Sequence, residues 1–291
     1  MIQARMIMGV GGAYTCVTEK GELVTCSARK KLKKTEGRLT VGDFLEISPV
    51  GDEYVIERIL PRKNILMRPP VSNIDQLLLL LSELPKPDYL LVDKLLVLAN
   101  RENIPVIIGV SKSDAFKQSF LQEVMAEYGA THTVIAFSAH SGEGMDALQN
   151  VLQGKCTALA GQSAVGKSSL LNALTGQNAL VGELSRIDRG RQTTRHTELY
   201  PVNGDTLLAD TPGFSNLQLD FLNLTEENVC DAYPEYLPYS MECRFLGCAH
   251  LGEPDCAVKQ AVEEGLLSKG RYQRYVTLRS EARERDKKKY D

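Results

Sequence analysis

The segment GQSAVGKSS, residues 161–169, constrains the fold of this chain more than any other part of the sequence. It matches the pattern G-x-x-x-x-G-K-[ST], whose glycines let the backbone curl until successive N–H groups face phosphate oxygens. The apolar run TALAG precedes the segment, and KSSLLNALTG follows it with helical spacing. Because such a loop joins a buried strand to a helix, the chain is predicted to build an α/β sheet around it.

Each residue of this phosphate loop has a predicted role. Lys167 supplies a positive charge for the β- and γ-phosphates, and the Ser168 hydroxyl is a predicted magnesium ligand. The predicted phosphate-binding residues are Gly161, Gln162, Ser163, Ala164, Val165, Gly166, Lys167, Ser168 and Ser169. The alternative, a glycine-rich turn without a ligand, is disfavoured by the strand and helix on either side.

A second element of the phosphate site is predicted at LLADTPGF, where Asp210 ends an apolar strand and Gly213 follows three residues later. In this D-x-x-G arrangement the Asp orients magnesium through water, and the Gly N–H senses the γ-phosphate. The polar stretch RGRQTTRHTELY precedes it and suits a switch loop. Thr194, or failing that Thr193, is the candidate for a magnesium ligand that binds only when the γ-phosphate is present.

The run IPVIIGVSKSDAF indicates which base is bound. Guanine presents an N1–H and an amino group side by side, so a carboxylate that accepts both selects it, and Asp114 is that candidate. The stem of Lys112 is expected to lie over the base. Ser111 stands where Asn is usual, which puts about one net hydrogen bond, roughly 0.5–1.5 kcal/mol, at risk.

A second base-contacting loop is predicted at FSA, where a backbone N–H of Ser138 or Ala139 would meet guanine O6. A P-loop ATPase or small-molecule kinase is the competing class of protein. Lys112 and Asp114 disfavour that class, as does the lack of any evident acceptor pocket.

A cluster of thiols and one imidazole predicts a metal site near the C-terminus. The segment CRFLGCAHLGEPDC places four ligands within 14 residues, namely Cys243, Cys248, His250 and Cys256. Three thiolates and one imidazole complete a tetrahedral zinc shell with no open position, so one structural Zn²⁺ is predicted. The other cysteines are scattered among apolar residues and are predicted to be core thiols.

The N-terminal segment alternates polar and apolar residues in short runs with glycine punctuation, which predicts a small all-β barrel over residues 1–69. Residues 1–68 carry 12 Lys and Arg against 8 Asp and Glu, residues 69–242 carry 11 against 21, and residues 243–291 carry 11 against 8. Basic ends suggest contact with a polyanion. The candidate RNA-binding lysines are Lys30, Lys31, Lys33 and Lys34, although a solubilising hairpin tip explains them too.

Two bulk features bear on location. No apolar run approaches the roughly 18 to 20 residues of a membrane span, and the N-terminus lacks the pattern of a signal peptide. The expectation is a cytoplasmic protein without membrane contact, acting as a monomer.

The order of the motifs is unusual, because the guanine loops at 111–114 and 137–139 precede the phosphate loop. All these loops project from one edge of a parallel sheet, so a circularly permuted chain can assemble the same site. With its barrel, permuted motifs and Cys/His tail, the whole chain resembles the circularly permuted, ribosome-small-subunit-dependent GTPases of bacteria (the RsgA, YjeQ or YloQ family). The resemblance implies an OB-fold barrel at 1–69, a permuted GTPase domain at 70–218 and a helical zinc-binding module with a basic helix at 219–291.

The resemblance also implies a function. It predicts GTP hydrolysis with Mg²⁺, stimulated by the small ribosomal subunit and its rRNA, during late maturation of that subunit. The alternative is a nucleotide-switched RNA-binding scaffold with little hydrolysis, favoured by Ser111 and Phe214, since many GTPases carry a water-positioning Gln where Phe214 stands. Turnover is then predicted to be slow, with water positioned by Gln192, His196 or a group that the ribosome supplies.

Both water-positioning candidates carry an alternative, because Gln192 and His196 can be polar loop residues without a catalytic role. The stretch GRQTTR also departs from many members of the resembled family, which have His where Gln192 stands and a third Thr where Arg195 stands. The zinc tail, finally, can hold a protein partner instead of RNA, and the basic helix near it favours RNA.

Overall fold

The computed structural model describes residues 1–29, 37–51, 53–67, 70–176, 197–210 and 225–288. The strands in these ranges are β1 Ile2–Val10, β2 Ala13–Thr18, β3 Leu23–Ala28, β4 Phe44–Val50, β5 Glu53–Ile59, β6 Ile65–Met67, β7 Pro70–Ser72, β8 Gln76–Leu81, β9 Val106–Ser111, β10 Thr133–Phe137, β11 Cys156–Ala160, β12 Glu198–Asn203 and β13 Thr206–Asp210. The helices are α1 Tyr89–Arg101, α2 Gln118–Tyr128, α3 Met145–Leu152, α4 Lys167–Thr175, α5 Glu226–Asp231, α6 Leu237–Ser240, α7 Ala257–Glu263 and α8 Lys269–Lys288, with a 3₁₀ turn at Pro234–Tyr236.

The N-terminal strands form a closed barrel in the order β1-β2-β3-β5-β4, which confirms the predicted OB-fold barrel. Strand β1 is antiparallel to both β2 and β4, and β3 is parallel to β5. Alternate side chains fill the interior, including the fully buried Leu45, Ile47 and Ile56. Gly42, in the turn before β4, has φ +94°, and a Cβ there would lie 2.1 Å from the carbonyl oxygen of Ser72, so only glycine fits this close approach.

A six-stranded sheet in the order β10-β9-β8-β11-β13-β12 confirms the predicted, largely parallel sheet. Strand β9 is parallel to β10, and β11 is parallel to β13, while β12 joins the edge antiparallel to β13. Strands β8 and β11 are buried along their whole lengths, which explains why their sequences are continuous apolar runs. Strand β11, which leads into the phosphate loop, lies between β8 and β13 inside this sheet. The strands that lead into the predicted guanine loops, β9 and β10, come earlier in the chain but belong to the same sheet.

The C-terminal part, from α5 to α8, is helical, as predicted. No helix in the described ranges has the length and apolar character that crossing a membrane requires. By its contacts the chain divides into two compact units, residues 1–78, 145–160 and 166–214 in one, and residues 79–144, 161–165 and 215–291 in the other. The sequence-based boundaries after residues 69 and 218 stay predictions.

Candidate nucleotide-binding and metal-binding sites

Ser111, the unusual first residue of the guanine loop, ends β9 and is only 2% exposed. Its Oγ lies 2.6 Å from the carbonyl oxygen of Val165 and 3.0 Å from that of Leu81. A hydroxyl has one proton, so it donates to one of these acceptors at a time, and the shorter distance favours Val165. The serine therefore ties the guanine loop to the phosphate loop, the same tie for which the usual Asn is expected.

Lys112 makes a second connection to the phosphate loop. Its Nζ donates to the carbonyl oxygens of Leu84, at 2.7 Å, and Ala164, at 2.9 Å. Lys112 and Ala164 both have φ +64°, a left-handed conformation that is uncommon outside glycine. Strained backbone of this kind persists where surrounding contacts hold it, and here the lysine joins the two strained residues directly.

Asp114, the predicted guanine-binding residue, has a partly exposed carboxylate. The hydroxyl of Ser138 donates to it and, with the Asp114 backbone N–H and the nearby His140, lowers its pKa below the usual value. The carboxylate is therefore ionised at neutral pH and can accept both hydrogens of a guanine edge. The buried Ser138 is itself held, because its Oγ accepts the backbone N–H groups of His140 and Ser141.

His140 was not among the predicted site residues, because nothing in its sequence pattern indicated a partner. Its Nδ1 lies 3.9 Å from Oδ2 of Asp114, and its side chain is exposed. The available signal was its position, directly after the Ser138–Ala139 pair of the second base-contacting loop.

The phosphate loop has the backbone that its sequence predicts. Gly161 is buried with φ +131°, and a Cβ there would lie 2.4 Å from the carbonyl oxygen of Leu80. Gly166 has φ +97° and caps the N-terminus of α4. Ser168 and Ser169, in the first turn of α4, are exposed. The N–H groups of such a first turn have no partner inside the helix and can bind an anion.

Lys167 and Asp210 interact electrostatically at the start of α4 and the end of β13. Burial lowers the pKa of the Lys167 ammonium group, and the negative charge of Asp210 partly opposes this effect. A partly desolvated cation of this kind is well suited to a phosphate oxygen, which would add negative charge.

Several predicted residues lie outside the described residues, so their placement is not part of this geometry. They are Lys30, Lys31, Lys33 and Lys34 of the basic loop, and Gln192, Thr193, Thr194, His196, Gly213 and Phe214 of the switch segments.

The structure brings the four predicted metal ligands together. The ligand atoms of Cys243, Cys248, His250 and Cys256 all lie within 4.8 Å of one another. The Sγ atoms of Cys243 and Cys256 are 3.9 Å apart, and they lie 3.7 and 3.4 Å from Nδ1 of His250. Metal–ligand distances of a tetrahedral zinc site require sulfur–sulfur edges of about 3.8 Å and sulfur–nitrogen edges of about 3.5 Å. The donor set therefore fits a tetrahedral ion of this size.

The imidazole of His250 is oriented by groups outside the cluster. Its Nε2 lies 3.1 Å from Oγ of Ser240, and that hydroxyl donates to the carbonyl oxygen of Tyr236. Since the hydroxyl proton is used in that bond, Oγ accepts the Nε2–H of a neutral imidazole and leaves Nδ1 with a lone pair for a metal. Burial, and then the charge of Arg279, lower the pKa of His250, which also favours the neutral ring.

Helix α8 differs from the expectation of a basic, RNA-facing surface. Arg271 and Arg274 pair with Asp93, and Arg279 pairs with Glu226, so three of its arginines face other parts of the protein. Arg271 is only 2% exposed. The sequence pattern missed these pairs because their acidic partners lie far away in the chain.

Comparisons with known proteins identify the relatives of this chain. A family model described as RsgA GTPase matches residues 59–220. A curated relative from Moorella thermoacetica is 41% identical over 292 residues, covering 98% of this chain and 99% of the relative. One from Caldanaerobacter subterraneus subsp. tengcongensis is 38% identical over 295 residues, covering 99% and 98%. Both carry the name small ribosomal subunit biogenesis GTPase RsgA.

Two solved structures are similar over nearly the whole chain. The crystal structure of YjeQ from Thermotoga maritima matches with a TM-score of 0.81 and 32% identity, covering 97% of this chain and 98% of that one. The structure of YloQ, described as a circularly permuted GTPase, matches with a TM-score of 0.78 and 33% identity, covering 98% and 96%.

Proposed function

We propose a residue-level account of GTP hydrolysis for this chain, which belongs to the RsgA GTPase family and is a GTPase of small ribosomal subunit biogenesis. Within that function, the residues that bind nucleotide, the identity of the metal and the contacts with RNA are our assignments.

The observation that carries the assignment is the arrangement of the guanine loop. Asp114 presents an ionised, partly exposed carboxylate, oriented by Ser138. Lys112 and Ser111, two and three residues before it, bond to Ala164 and Val165 of the phosphate loop. A guanine-selective carboxylate is thus attached to a phosphate-binding loop. An ATPase or a phosphate sensor does not require such a carboxylate, so this combination favours a guanine nucleotide.

The remaining nucleotide contacts follow from this placement. Asp114 reads the guanine edge, Lys112 covers the base, and the backbone N–H of Ala139 reaches guanine O6. The backbone N–H of Ser138 donates to the carbonyl oxygen of Glu143, so Ser138 contributes by orienting Asp114. The phosphates lie along 161–169, with Lys167 at the β- and γ-phosphates. Mg²⁺ bound with GTP neutralises phosphate charge, and its protein ligands are assigned as Ser168, Asp210 through water, and Thr194.

The group that positions the attacking water is assigned to the switch segment or to the ribosome. Phe214 cannot hydrogen-bond a water, so Gln192, His196 or a group of the small subunit takes that role, and Gly213 senses the γ-phosphate. Turnover of the isolated protein is accordingly slow.

The ion of the Cys243, Cys248, His250 and Cys256 cluster is assigned as one structural Zn²⁺. Three thiolates and an imidazole suit zinc better than hard cations such as Mg²⁺ or Ca²⁺, which prefer oxygen ligands. No ligand position is left for a substrate, so the site holds the fold of the C-terminal module and takes no part in the chemistry.

The partner of the protein is the small ribosomal subunit, and its work is therefore placed in the cytoplasm, where subunits mature. We assign the first RNA contact to the basic loop with Lys30, Lys31, Lys33 and Lys34. A second basic surface was expected at the C-terminus. It is smaller than expected, because Arg271, Arg274 and Arg279 of α8 pair with acidic residues of the protein. A monomeric state stays a prediction.

The test compares nucleotides first and turnover second. Titration with GDP and ADP in the presence of Mg²⁺ should show binding of GDP alone, and equal affinity for both would contradict the guanine assignment. GTP turnover is then measured with and without purified small subunits. Stimulation of many-fold supports a subunit-gated enzyme, whereas near-zero turnover in both cases favours the scaffold, with GTP as a conformational ligand.

A further inference from the structure

A side chain of the phosphate loop holds the start of helix α1. Oε1 of Gln162 accepts the backbone N–H of Asp88 at 2.8 Å, and its Nε2 lies 3.4 Å from the carbonyl oxygen of Lys86. Asp88 is the N-cap of α1, because its own side chain accepts the N–H of Leu91. The start of α1 and the second residue of the phosphate loop therefore depend on each other for position.

The segment before α1 is attached to the nucleotide loops at a second point. The ammonium group of Lys112 bridges the carbonyl oxygens of Leu84 and Ala164. The carboxylate of Glu83 also accepts the backbone N–H of Lys117, at 3.0 Å. Residues 83–88 thus bond to the phosphate loop through Lys112 and Gln162, and to the guanine loop region through Glu83.

One turn and a half further along α1, Asp93 is the centre of a buried ion cluster. Its side chain is fully buried, and its two oxygens accept from the hydroxyls of Tyr128 and Tyr233, from Arg271 and from Arg274. The Arg271 guanidinium lies between the rings of Tyr128 and Tyr233, 5.0 and 4.5 Å from their centroids.

Both arginines belong to α8, so Asp93 fixes the start of the C-terminal helix on α1. Glu235 and Glu127 pair with the outer faces of Arg271 and Arg274. Removing one member of a buried, hydrogen-bonded ion cluster leaves uncompensated charge, so the cluster resists gradual deformation.

Helix α1 joins these two sets of contacts over a short distance. Asp88 and Asp93 are five residues apart, about 7.5 Å along a helix axis. The helix is continuous from Tyr89 to Arg101, and its buried face includes Leu91, Val92, Leu95 and Leu96. A shift of its N-terminus is therefore transmitted to Asp93 and not absorbed by a bend between them.

We propose that α1 couples the nucleotide loops to the C-terminal helix α8, with Gln162 and Asp93 as positioning residues at its two ends. The proposal rests on nucleotide binding by the phosphate loop and adds a route by which the C-terminal module senses it. Coupling is reciprocal, so nucleotide stabilises the attachment of α8, and loosening α8 weakens nucleotide binding by the same factor.

The first test is amide hydrogen exchange on the full-length protein, with and without saturating GDP and Mg²⁺. We expect GDP to slow exchange in the first half of α8, residues 271–279, about fivefold or more. Gln162→Ala should abolish this slowing at saturating GDP, whereas Gln162→Glu, which keeps an acceptor for the Asp88 N–H, should preserve it. The matched control is Gln153→Ala, the same change at an exposed position after α3.

The reverse test measures GDP affinity when α8 is loosened. Arg274→Met should weaken GDP binding about three- to tenfold, and the same change at Arg283, whose side chain is 64% exposed on the same helix, should not. In a Gln162→Ala background the effect of Arg274→Met should disappear, because the route is already broken.

The outcomes separate this proposal from the function on which it rests. If wild-type protein binds no GDP, the proposed function is wrong and the coupling with it. If GDP binds but exchange in α8 is unchanged, or if Arg274→Met and Gln162→Ala act additively on GDP affinity, the coupling alone is overturned.

Discussion

Ser111→Ala removes the hydroxyl that ties the guanine loop to the phosphate loop. The bond from Oγ to the Val165 carbonyl oxygen is 2.6 Å long, and the serine is 2% exposed. Alanine fits the same space, so the change deletes the hydrogen bond and leaves buried carbonyl oxygens at Val165 and Leu81 without this donor.

Loss of this bond should lower both the stability of the protein and its affinity for GDP, by different amounts. Leaving a buried acceptor unsatisfied costs about 1–3 kcal/mol, so the free energy of unfolding without nucleotide should fall by that amount. Both bonded groups belong to the protein, so the loss of the bond weakens GDP binding only by freeing the two loops. The loss of GDP affinity is then at most the net worth of the bond, about 0.5–1.5 kcal/mol or roughly 2- to 12-fold.

The assay is a fluorescence titration with labelled GDP at fixed Mg²⁺, together with urea unfolding of the nucleotide-free protein. Ser113→Ala is the matched control, because Ser113 lies in the same loop and its hydroxyl bonds to Glu143 at the surface. An affinity and a stability both unchanged in Ser111→Ala, or equal losses in the two variants, would refute the assigned role of Ser111.

Four further predictions concern the two sites and the ion cluster. Asp114→Asn should lower GDP affinity roughly 100-fold or more and favour xanthosine diphosphate, whose 2-carbonyl accepts from the amide; a retained preference for GDP in a competition titration would contradict the guanine assignment. Because the pKa of Asp114 lies below its usual value, its carboxylate stays ionised. The ratio of the GDP affinities of wild type and Asp114→Asn, in which titration of the GDP phosphate cancels, should therefore be flat from pH 8 to pH 5, and a fall of that ratio near pH 6 would contradict an ionised carboxylate. Ser240→Ala should weaken metal binding about 10- to 100-fold in a chelator competition, and an unchanged affinity would mean that Ser240 does not orient His250. Asp93→Asn should lower the free energy of unfolding by about 3–5 kcal/mol in a urea titration, and a loss no larger than that of the exposed control Asp205→Asn would show that the buried cluster contributes little.

The sheet and the metal cluster could be predicted from the sequence because their signals are local. Strands β8, β9 and β11 are short apolar runs, and each except β8 leads directly into a polar motif. The four metal ligands lie within 14 residues, so their spacing alone brings them together. These are the cases in which neighbouring residues decide the structure.

The attachment of α8 could not be predicted, because its signal is distributed over the chain. Arg271 is 178 residues from Asp93, and its sequence neighbours look like those of a solvated basic helix. One clue was present in the apolar run LLVDKLLVLAN, where Asp93 interrupts the buried face of α1. A carboxylate at such a position requires buried donors, but the sequence does not say where they are.

Ser111 illustrates the same division at a single residue. The sequence shows that Ser111 stands where the motif usually has Asn, and that this serine still carries a hydroxyl that can form a hydrogen bond. Its acceptor at Val165 lies 54 residues further along, in the phosphate loop, and only the folded chain shows that the shorter side chain reaches it.

The strand order has a consequence for how the chain emerges during synthesis. Strand β8, with the sequence QLLLLL, is made 80 residues before β11, its neighbour in the finished sheet. At elongation rates of about 5–20 residues per second, that interval is about 4 to 16 seconds. Throughout it, a leucine-rich edge with unpaired backbone groups is open to pairing with other chains. A factor that serves ribosome assembly thus has its own vulnerable interval at the exit of a ribosome, which ends when β11 is inserted.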